Sequence, residues 1–232
     1  MSEARHVVVT GGGTGIGLAT TTLLAARGWQ VIAAGLERED TFPDAATFVE
    51  CDVTDAAALG AVFAPLDTLG GLVTCAGVIR YAEEWNPETF DKVMGVNVTA
   101  VLASANAAAD ALERGGGSVV NIASMWTFFG SSAAPAYGAS KGAVAALTRA
   151  QAVAWGPRGI RVNAVAPGWV ETRISAGARN DPERRARIDA RIPLGRWAAT
   201  EEIAKVVAFL LSAEASYVHG AILPVDGGYL AA

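Results

Sequence analysis

Seven short apolar segments, rich in valine, isoleucine and alanine, recur along the 232-residue chain. Most of the gaps between them hold longer segments whose apolar residues recur with the period of an α-helix. This alternation predicts an α/β protein with a doubly wound, Rossmann-like parallel sheet of about seven strands and helices on both faces. The predicted strands are Val7–Thr10, Val31–Ala34, Thr47–Val49, Leu72–Cys75, Ser118–Ile122, Arg161–Val165 and Ala221–Val225.

Three predicted helices have clear boundary signals in the sequence. The first covers residues 87–114, with Asn86 as its N-cap, and a run of glycines follows it. The second covers residues 136–155 and ends at a Gly-Pro pair. Thr200 is the predicted N-cap of the third helix, whose first turn is acidic. Because no repeat or linker interrupts the chain, we expect a single domain over residues 1–232.

A glycine-rich turn separates the first predicted strand from the first predicted helix. Its sequence is TGGGTGIG, over residues 10–17. Glycine lets a ligand approach the main chain, and the N-terminus of a helix attracts phosphate through its free N–H groups and dipole. The spacing does not fit G-x-G-x-x-G; it follows T-G-x-x-x-G-x-G, with Thr10, Gly11, Gly15 and Gly17 at the named positions. The turn therefore predicts a phosphate site, and a turn without a ligand is the alternative for this motif alone.

The segment NIASMWTFFGSSAAPAYGASKGAV, residues 121–144, holds the candidate chemistry. Tyr137 and Lys141 are four positions apart on a predicted helix, so their side chains share one face. A nearby ammonium group favours the phenolate, so we expect Lys141 to lower the pKa of Tyr137. Ser124 follows a predicted strand, at the sheet edge where open α/β proteins bind ligands. A core tyrosine and a serine that caps a strand end are the structural alternatives.

These motifs together resemble the short-chain dehydrogenase/reductase family. The resemblance spans nearly the whole chain in the family's order, and the glycine spacing is similar to that of its compact single-domain branch. The segments NIASM, RIPLGRW and VDGGYL resemble bacterial sugar and sugar-acid dehydrogenases most. The residues that match the family's motifs are Thr10, Gly11, Gly15, Gly17, Asp52, Ala76, Gly77, Asn97, Ser124, Tyr137, Lys141, Pro167 and Gly168.

The resemblance implies an oxidoreductase that transfers a hydride between a nicotinamide cofactor and a carbonyl or secondary alcohol, with sugars and sugar acids as candidate substrates. Tyr137 would be the general acid/base, and Ser124 would orient and polarise the substrate oxygen. Lys141 would also bind the nicotinamide ribose, and Asn97 would hold a water in the proton relay. The alternatives are an NADPH-dependent ketoreductase of apolar or acyl substrates and a catalytically silent, nucleotide-sensing member of the fold.

The same resemblance implies a cofactor site built from strand ends and the segments that follow them. Its candidate residues are Thr10, Gly11, Gly13, Thr14, Gly15, Ile16, Gly17, Gly35, Leu36, Asp52, Val53, Ala76, Gly77, Tyr137, Lys141, Pro167, Gly168, Val170 and Thr172. The family's Asn-Asn-Ala-Gly is Thr-Cys-Ala-Gly here, at residues 74–77, which alters the side-chain hydrogen bonds. The connection between the second and third strands is short, so we expect a loop around Pro43 in place of a helix.

The expected cofactor is NAD, with NADP the alternative. A carboxylate at the end of the second strand ordinarily grips the adenosine ribose of NAD, but Gly35 stands at that position. Thr14 and Leu36 lie where NADP-using relatives often carry a base, and both are uncharged. Glu37 and Glu39 add negative charge near the position of a 2′-phosphate, and only the arginine between them opposes it. The balance of charge therefore favours NAD.

Aromatic and arginine residues surround the positions where the family binds substrate. The aromatic candidates for a pocket wall or for core packing are Tyr81, Trp85, Trp126, Phe128, Phe129 and Trp169. Residues 171–197 resemble the family's substrate-covering loop and helix, with Asp181 at the helix start. The segment also carries the arginines Arg179, Arg184, Arg185, Arg187, Arg191 and Arg196. A solvated helix face is the favoured interpretation, and an arginine that binds a substrate carboxylate is the alternative.

Composition argues against several classes of partner. The net charge is −5 with no basic block, so a nucleic acid is not expected. No apolar run reaches the roughly 18–20 residues of a membrane span, and the N-terminus lacks a signal pattern, so we expect a cytoplasmic protein without membrane contact. The two histidines offer no metal-ligand spacing. Cys51 and Cys75 are expected to be buried, reduced thiols.

We also expect a homo-oligomer, specifically a tetramer. The family pairs its two long central helices across one interface and packs its C-terminal segment across another. Both predicted helices are rich in alanine over residues 100–108 and 143–146, which permits close helix pairing.

Overall fold

The computed structural model describes residues 5–232. Seven strands form one sheet in the order β3-β2-β1-β4-β5-β6-β7, and every neighbouring pair is parallel. The predicted doubly wound parallel sheet is therefore confirmed. The strands are β1 (His6–Thr10), β2 (Gln30–Gly35), β3 (Ala46–Glu50), β4 (Gly71–Thr74), β5 (Ser118–Ile122), β6 (Arg161–Pro167) and β7 (Ile222–Val225).

Helices cover both faces of this sheet. They are α1 (Gly15–Ala26), α2 (Ala56–Phe63), α3 (Pro87–Met94), α4 (Ala100–Gly115), α5 (Pro135–Trp155), α6 (Ala176–Arg179), α7 (Pro182–Asp189) and α8 (Thr200–Leu211). Alternation along β1 shows how the two cores form. Val8 packs in a cluster with Leu112 of α4, whereas Val7 and Val9 pack on the other face in a cluster with Leu24 of α1. Both faces of the strands are apolar because both are covered.

The strand order reverses between β1 and β4. From β1 the chain builds outward through β2 and β3, and it then returns to β4 on the other side of β1. Thr10 at the end of β1 pairs with Thr74 at the end of β4, so the segments after these two strands diverge from one point. Such a switch point opens a crevice at the carboxyl ends of the strands, where open α/β proteins bind ligands.

The first predicted helix differs from the expectation in its middle. Asn86 caps α3 as predicted, because its Oδ1 accepts the N–H groups of Glu88 and Thr89. The helix over residues 87–114, however, is interrupted by a π-helical segment, Gly95–Thr99, before it continues as α4. A π-turn inserts one extra residue into a helix and often occurs at functional sites. The sequence carries no periodic signal for such an insertion.

Two other helix starts also differ from the prediction by one residue. Thr200 is the first residue of α8, and its N-cap is Ala199, whose own N–H donates to Glu202 Oε2 at 2.9 Å. Glu202, in the acidic first turn, therefore makes the capping hydrogen bond that the sequence analysis expected from Thr200. Helix α5 begins at Pro135, because proline suits a first helical turn, and it ends at Trp155 as predicted.

The shortened connection between β2 and β3 is a loop with no helix, as predicted. Both cysteines are free thiols, but only Cys51 is buried. The expectation of burial is wrong for Cys75, because it follows β4 at the crevice and lines the cavity there. Within residues 5–232, no helix combines the length and the apolar character needed to cross a membrane.

Candidate active site

A cavity of about 650 Å³ lies at the carboxyl ends of the central strands. Its walls come from the glycine turn and from the segments that follow β4, β5 and β6. Residues Tyr137 and Lys141 of α5 contribute to the wall beside β5. The volume lies within the range of about 300–1,000 Å³ that is common for small-molecule and cofactor sites.

The glycine turn fits a phosphate-bearing cofactor. Gly11 has a φ of +66°, and a Cβ on it would lie 2.7 Å from the backbone of Ala76, so a larger residue would push apart two walls of the crevice. A Cβ on Gly17 would overlap the carbonyl oxygen of Gly11. The N–H of Gly15, at the start of α1, donates to Glu39 Oε1 at 3.2 Å. A carboxylate at this N–H shows that the position attracts an anion, as a helix N-terminus should.

Ser124, Tyr137 and Lys141 all line the cavity. Ser124 caps a short 3₁₀ turn after β5, where its Oγ accepts the N–H of Trp126 at 3.2 Å. Lys141 is 4% exposed, and its Nζ donates to the carbonyl oxygen of Ile122 at 2.7 Å. The same Nζ lies 5.4 Å from the centroid of the Tyr137 ring. The end of β5 and one face of α5 thus bring together the three side chains that were predicted to form the site.

The electrostatics of this group differ from the expectation. Burial raises the pKa of Tyr137, the neighbouring Ser124 hydroxyl opposes the increase, and the charges of Tyr81, Cys75 and Glu84 add to it. Burial also lowers the pKa of Lys141 to about 8. The prediction that Lys141 lowers the pKa of Tyr137 is therefore wrong for the protein's own residues. The cost of removing the phenolate from water is the largest effect, and Lys141 is not among the groups that shift this pKa.

Asn97 lies behind the cavity wall and does not line it. It is fully buried in the π-helical segment, where its Oδ1 accepts the N–H of Val78 and its Nδ2 donates to the Val78 carbonyl and to Ser140 Oγ. Both amide hydrogens are thus engaged by the protein. The structure places Asn97 as a support for the backbone beside Gly77, and it shows no free donor on this side chain for a water relay.

The predicted cofactor residues divide into two groups. Those that line the cavity are Gly11, Thr14, Gly15, Ile16, Ala76, Gly77, Tyr137, Lys141, Pro167, Gly168, Val170 and Thr172. Those that do not line it are Thr10, Gly13, Gly17, Gly35, Leu36, Asp52 and Val53. Gly13 instead permits contact with the backbone oxygen of Glu37, and Asp52 turns its Oδ1 toward the N–H and hydroxyl of Thr54.

Three of the six candidate aromatic residues, Tyr81, Trp126 and Trp169, line the cavity. Trp126 is at the centre, and its ring makes edge-on contacts with Tyr81, Tyr137 and Trp169 at centroid distances of 6.3, 5.4 and 6.4 Å. The three others, Trp85, Phe128 and Phe129, do not line the cavity. An aromatic wall of this kind offers apolar ring faces and edges to a cyclic or branched substrate.

Two polar contacts at the cavity were missed by the sequence analysis. Arg173 forms an ion pair with Glu37 at 2.6 Å, and both residues line the cavity. This pair lowers the pKa of Glu37, and it shows that the arginine between Glu37 and Glu39 is not the only opposing base. The second contact is made by Glu84, a buried residue whose carboxylate reaches the backbone of Tyr137. Neither pairing has a signal in local sequence.

Comparison with known proteins identifies the class that these features define. A family model described as enoyl-(acyl carrier protein) reductase matches residues 11–230. The chain is 40% identical to cis-4-hydroxycyclohexanecarboxylate dehydrogenase of Sinomonas cyclohexanicum over 100% of both chains. It is 41% identical to galactitol 2-dehydrogenase (L-tagatose-forming) of Cereibacter sphaeroides, over 98% of this chain and 95% of the relative. All three comparisons point to oxidoreductases.

A solved structure gives the same result. A candidate 2-deoxy-D-gluconate 3-dehydrogenase from Agrobacterium tumefaciens, crystallised with bound NADP, superposes with a TM-score of 0.93. The identity is 41%, over 100% of this chain and 98% of the other. The chain belongs to the short-chain dehydrogenase/reductase family. It is an NAD(P)-dependent oxidoreductase that transfers a hydride between the nicotinamide and a carbonyl or secondary alcohol.

Proposed function

We propose that the protein interconverts a secondary alcohol and a ketone on a sugar acid or another small hydroxy acid, with Tyr137 as general acid/base. The observation that carries the proposal is the convergence of Ser124, Tyr137 and Lys141 on one cavity that the glycine turn also lines. A nicotinamide cofactor bound along that turn would supply or accept the hydride. The reaction then needs one further group, which moves a proton at the substrate oxygen.

The proton chemistry follows from the three side chains. In the oxidation, the Tyr137 phenolate takes the proton of the substrate hydroxyl, and in the reduction the phenol returns it. The Ser124 hydroxyl donates a hydrogen bond to the substrate oxygen and orients it. Lys141, which lines the same cavity, would hold the nicotinamide ribose. The rest of the cofactor would be held by Gly11, Thr14, Gly15, Gly77 and Thr172, because these residues line the same cavity.

A substrate with a negative charge is supported by two arginines at the aromatic wall. The guanidinium of Arg184, from α7, lies 5.1 Å from the ring centroid of Tyr81. Arg80 lines the cavity beside Tyr81, and none of the ion pairs within residues 5–232 includes either arginine. An arginine not committed to a protein carboxylate can bind a substrate carboxylate. The name of the Sinomonas relative, a hydroxycyclohexanecarboxylate dehydrogenase, indicates a ring that bears both a hydroxyl and a carboxylate.

For the cofactor, we propose that NAD is preferred over NADP. Glu37 and Glu39 remain close to the glycine turn, since the Glu39 N–H and carboxylate both contact it. Arg38 stacks over the rings of Phe42 and Phe48 at 5.5 and 5.7 Å, so it would have to leave them to meet a 2′-phosphate. The ion pair of Arg173 with Glu37 weakens this preference, because it neutralises part of the negative charge that disfavours a 2′-phosphate. Catalytic efficiency measured with both cofactors tests it, and a higher value with NADP(H) would overturn it.

We further propose a cytoplasmic homotetramer. Apolar side chains on the two central helices support the assembly, since Leu102 of α4 and Val153 of α5 are 41% and 81% exposed. Leu223 of β7 and Tyr217, which precedes that strand, are also exposed. Light scattering at micromolar concentration tests the assembly, and a monomeric mass would contradict it.

The experiment that tests the proposed reaction is a panel of substrates read by the absorbance of reduced nicotinamide. The panel contains sugars, sugar acids, cyclic hydroxy acids and simple secondary alcohols. We expect the hydroxy acids to be oxidised with the highest catalytic efficiency. A higher efficiency for apolar or acyl ketones would contradict the proposed substrate class.

A further inference from the structure

Glu84 is a buried carboxylate that the proposed proton chemistry does not use. Its side chain is 1% exposed, and it takes part in none of the ion pairs found within residues 5–232. Burying a carboxylate is unfavourable unless hydrogen bonds replace its water. Two backbone N–H groups do so here: Oε1 accepts that of Arg80 at 2.7 Å, and Oε2 accepts that of Tyr137 at 2.8 Å.

The bond to Tyr137 replaces a cap that helix α5 lacks. The N-cap of α5 is Ala134, whose side chain has no acceptor for the first free N–H groups. Tyr137 is the third residue of the helix, and its N–H is one of the groups that a capping side chain normally satisfies. Glu84 satisfies it from 53 positions away along the chain. The helix end that bears the tyrosine is thus anchored by the segment that follows β4.

That segment is itself held against the start of α5 by further contacts. The N–H of Ala82 donates to the Ala133 carbonyl at 3.0 Å, and Trp85 Nε1 donates to the Ser132 carbonyl at 3.0 Å. Ala82 has a φ of +65°, which is unfavourable for a residue with a Cβ. Such backbone strain persists where the surrounding contacts determine the conformation, and it clusters at functional sites.

We propose that Glu84 is a positioning residue, which fixes the backbone of Tyr137 relative to the cavity wall at residues 79–81. The inference rests on the proposed role of Tyr137. Through its two oxygens, one carboxylate joins the helix that carries the acid/base to the segment that lines the substrate side. A shift of either segment would change the distance between the phenol and the substrate oxygen, on which proton transfer depends.

Glu84 also faces Tyr137 as a charge. The ionisable groups around the phenol are Glu84, Tyr81, Cys75 and Lys141, with Arg184 beyond Tyr81. The negative charge of Glu84 opposes the phenolate and contributes to the raised pKa of Tyr137. A neutral residue at position 84 should therefore move the pH of half-maximal alcohol oxidation downward, which loss of packing alone would not do.

The test uses Glu84→Gln with Glu83→Gln as its matched control. Both variants remove one carboxylate, but Glu83 is exposed and has no side-chain bond to α5. In Glu84→Gln the amide nitrogen, which is a donor, must face one of the two backbone N–H groups, so one of the two hydrogen bonds is lost. Because the Tyr137 backbone is then held less firmly, we expect kcat to fall about tenfold or more. The pH of half-maximal oxidation should fall by about half a unit or more, while cofactor affinity, read by nicotinamide fluorescence, stays unchanged. The control should retain kcat within about twofold of the wild type.

Further variants keep the test decisive. Wild-type kcat and pH profile in Glu84→Gln, together with an inactive Tyr137→Phe, would overturn the positioning role and leave the proposed reaction intact. Full turnover in Tyr137→Phe would instead overturn the proposed reaction itself. If Glu84→Gln does not fold, Glu84→Asp decides, because it keeps the charge and shortens the reach. We expect Glu84→Asp to lose kcat without a shift of the pH profile, and an unchanged kcat would overturn the inference.

Discussion

Glu37, which lines the cavity, and Glu84, which lies behind its wall and binds the backbone of two lining residues, have opposite surroundings. Glu37 on the cofactor side is 64% exposed and pairs with Arg173, whose side chain is 63% exposed. Glu84 on the substrate side is 1% exposed and is held by backbone N–H groups alone. Water and salt screen the first arrangement, whereas the second keeps its full electrostatic effect. Burial, and not the number of charges, therefore decides which carboxylate affects the proton chemistry.

The largest expected effect lies on the buried side, at the phenol itself. Tyr137→Phe removes the group that moves the proton, so we expect kcat to fall at least about a hundredfold. Cofactor binding should change little, because the ring remains in the wall. Tyr217→Phe is the control, since Tyr217 is fully exposed and does not line the cavity. Turnover near that of the wild type in Tyr137→Phe would refute the proposed reaction.

The next effect concerns the backbone of the glycine turn. In Gly17→Ala the new methyl group would overlap the Gly11 carbonyl oxygen, so the free energy of unfolding should fall by about 1–3 kcal/mol and cofactor affinity should fall with it. The control is Gly60→Ala in α2, where a Cβ meets nothing within 4 Å. The control should be stabilised by about 0.4–1 kcal/mol. Urea unfolding measures the stability of both variants. Equal stabilities of Gly17→Ala and Gly60→Ala would contradict the close approach of Gly17 to the Gly11 carbonyl oxygen.

A smaller effect is expected at the arginines of α7. Arg184→Gln should raise KM for a hydroxy-acid substrate about tenfold, because a charge-assisted bond to the carboxylate is lost. Arg187→Gln removes an exposed charge from the same helix and should leave KM within about twofold. Steady-state kinetics with an uncharged polyol gives the second comparison. If Arg184→Gln leaves KM for the acid as little changed as Arg187→Gln does, the solvated-face interpretation of this helix is correct and the substrate proposal is wrong.

The smallest effect is expected at the exposed pair. Glu37→Gln should not change the midpoint of thermal unfolding measurably, since both partners are in water. It should release Arg173 and raise the efficiency with NADP(H), relative to NAD(H), by a few fold. An unchanged ratio would show that Glu37 does not contribute to cofactor choice.

These contrasts also explain what the sequence could predict. The strands, the glycine turn and the Tyr137–Lys141 pair follow from local patterns and spacing, and the structure has all of them. The pairs Glu37–Arg173 and Glu84–Tyr137 join residues 136 and 53 positions apart, so only the packed fold reveals them. The raised pKa of Tyr137 was missed for a related reason. Spacing shows that a lysine is near, but only packing shows how much water the phenol has lost.

The central claim is that the buried wall sets the proton chemistry, and the pH dependence of kcat in both directions tests it most directly. Because burial raises the pKa of Tyr137, the phenolate needed for oxidation is a minor species at neutral pH. Alcohol oxidation should therefore become faster from about pH 6 to about pH 9, whereas ketone reduction, which needs the phenol, should stay nearly constant. A primary kinetic isotope effect, measured with a substrate deuterated at the carbon that gives up the hydride, identifies the conditions under which hydride transfer limits the rate. An oxidation rate independent of pH under that condition would contradict the account.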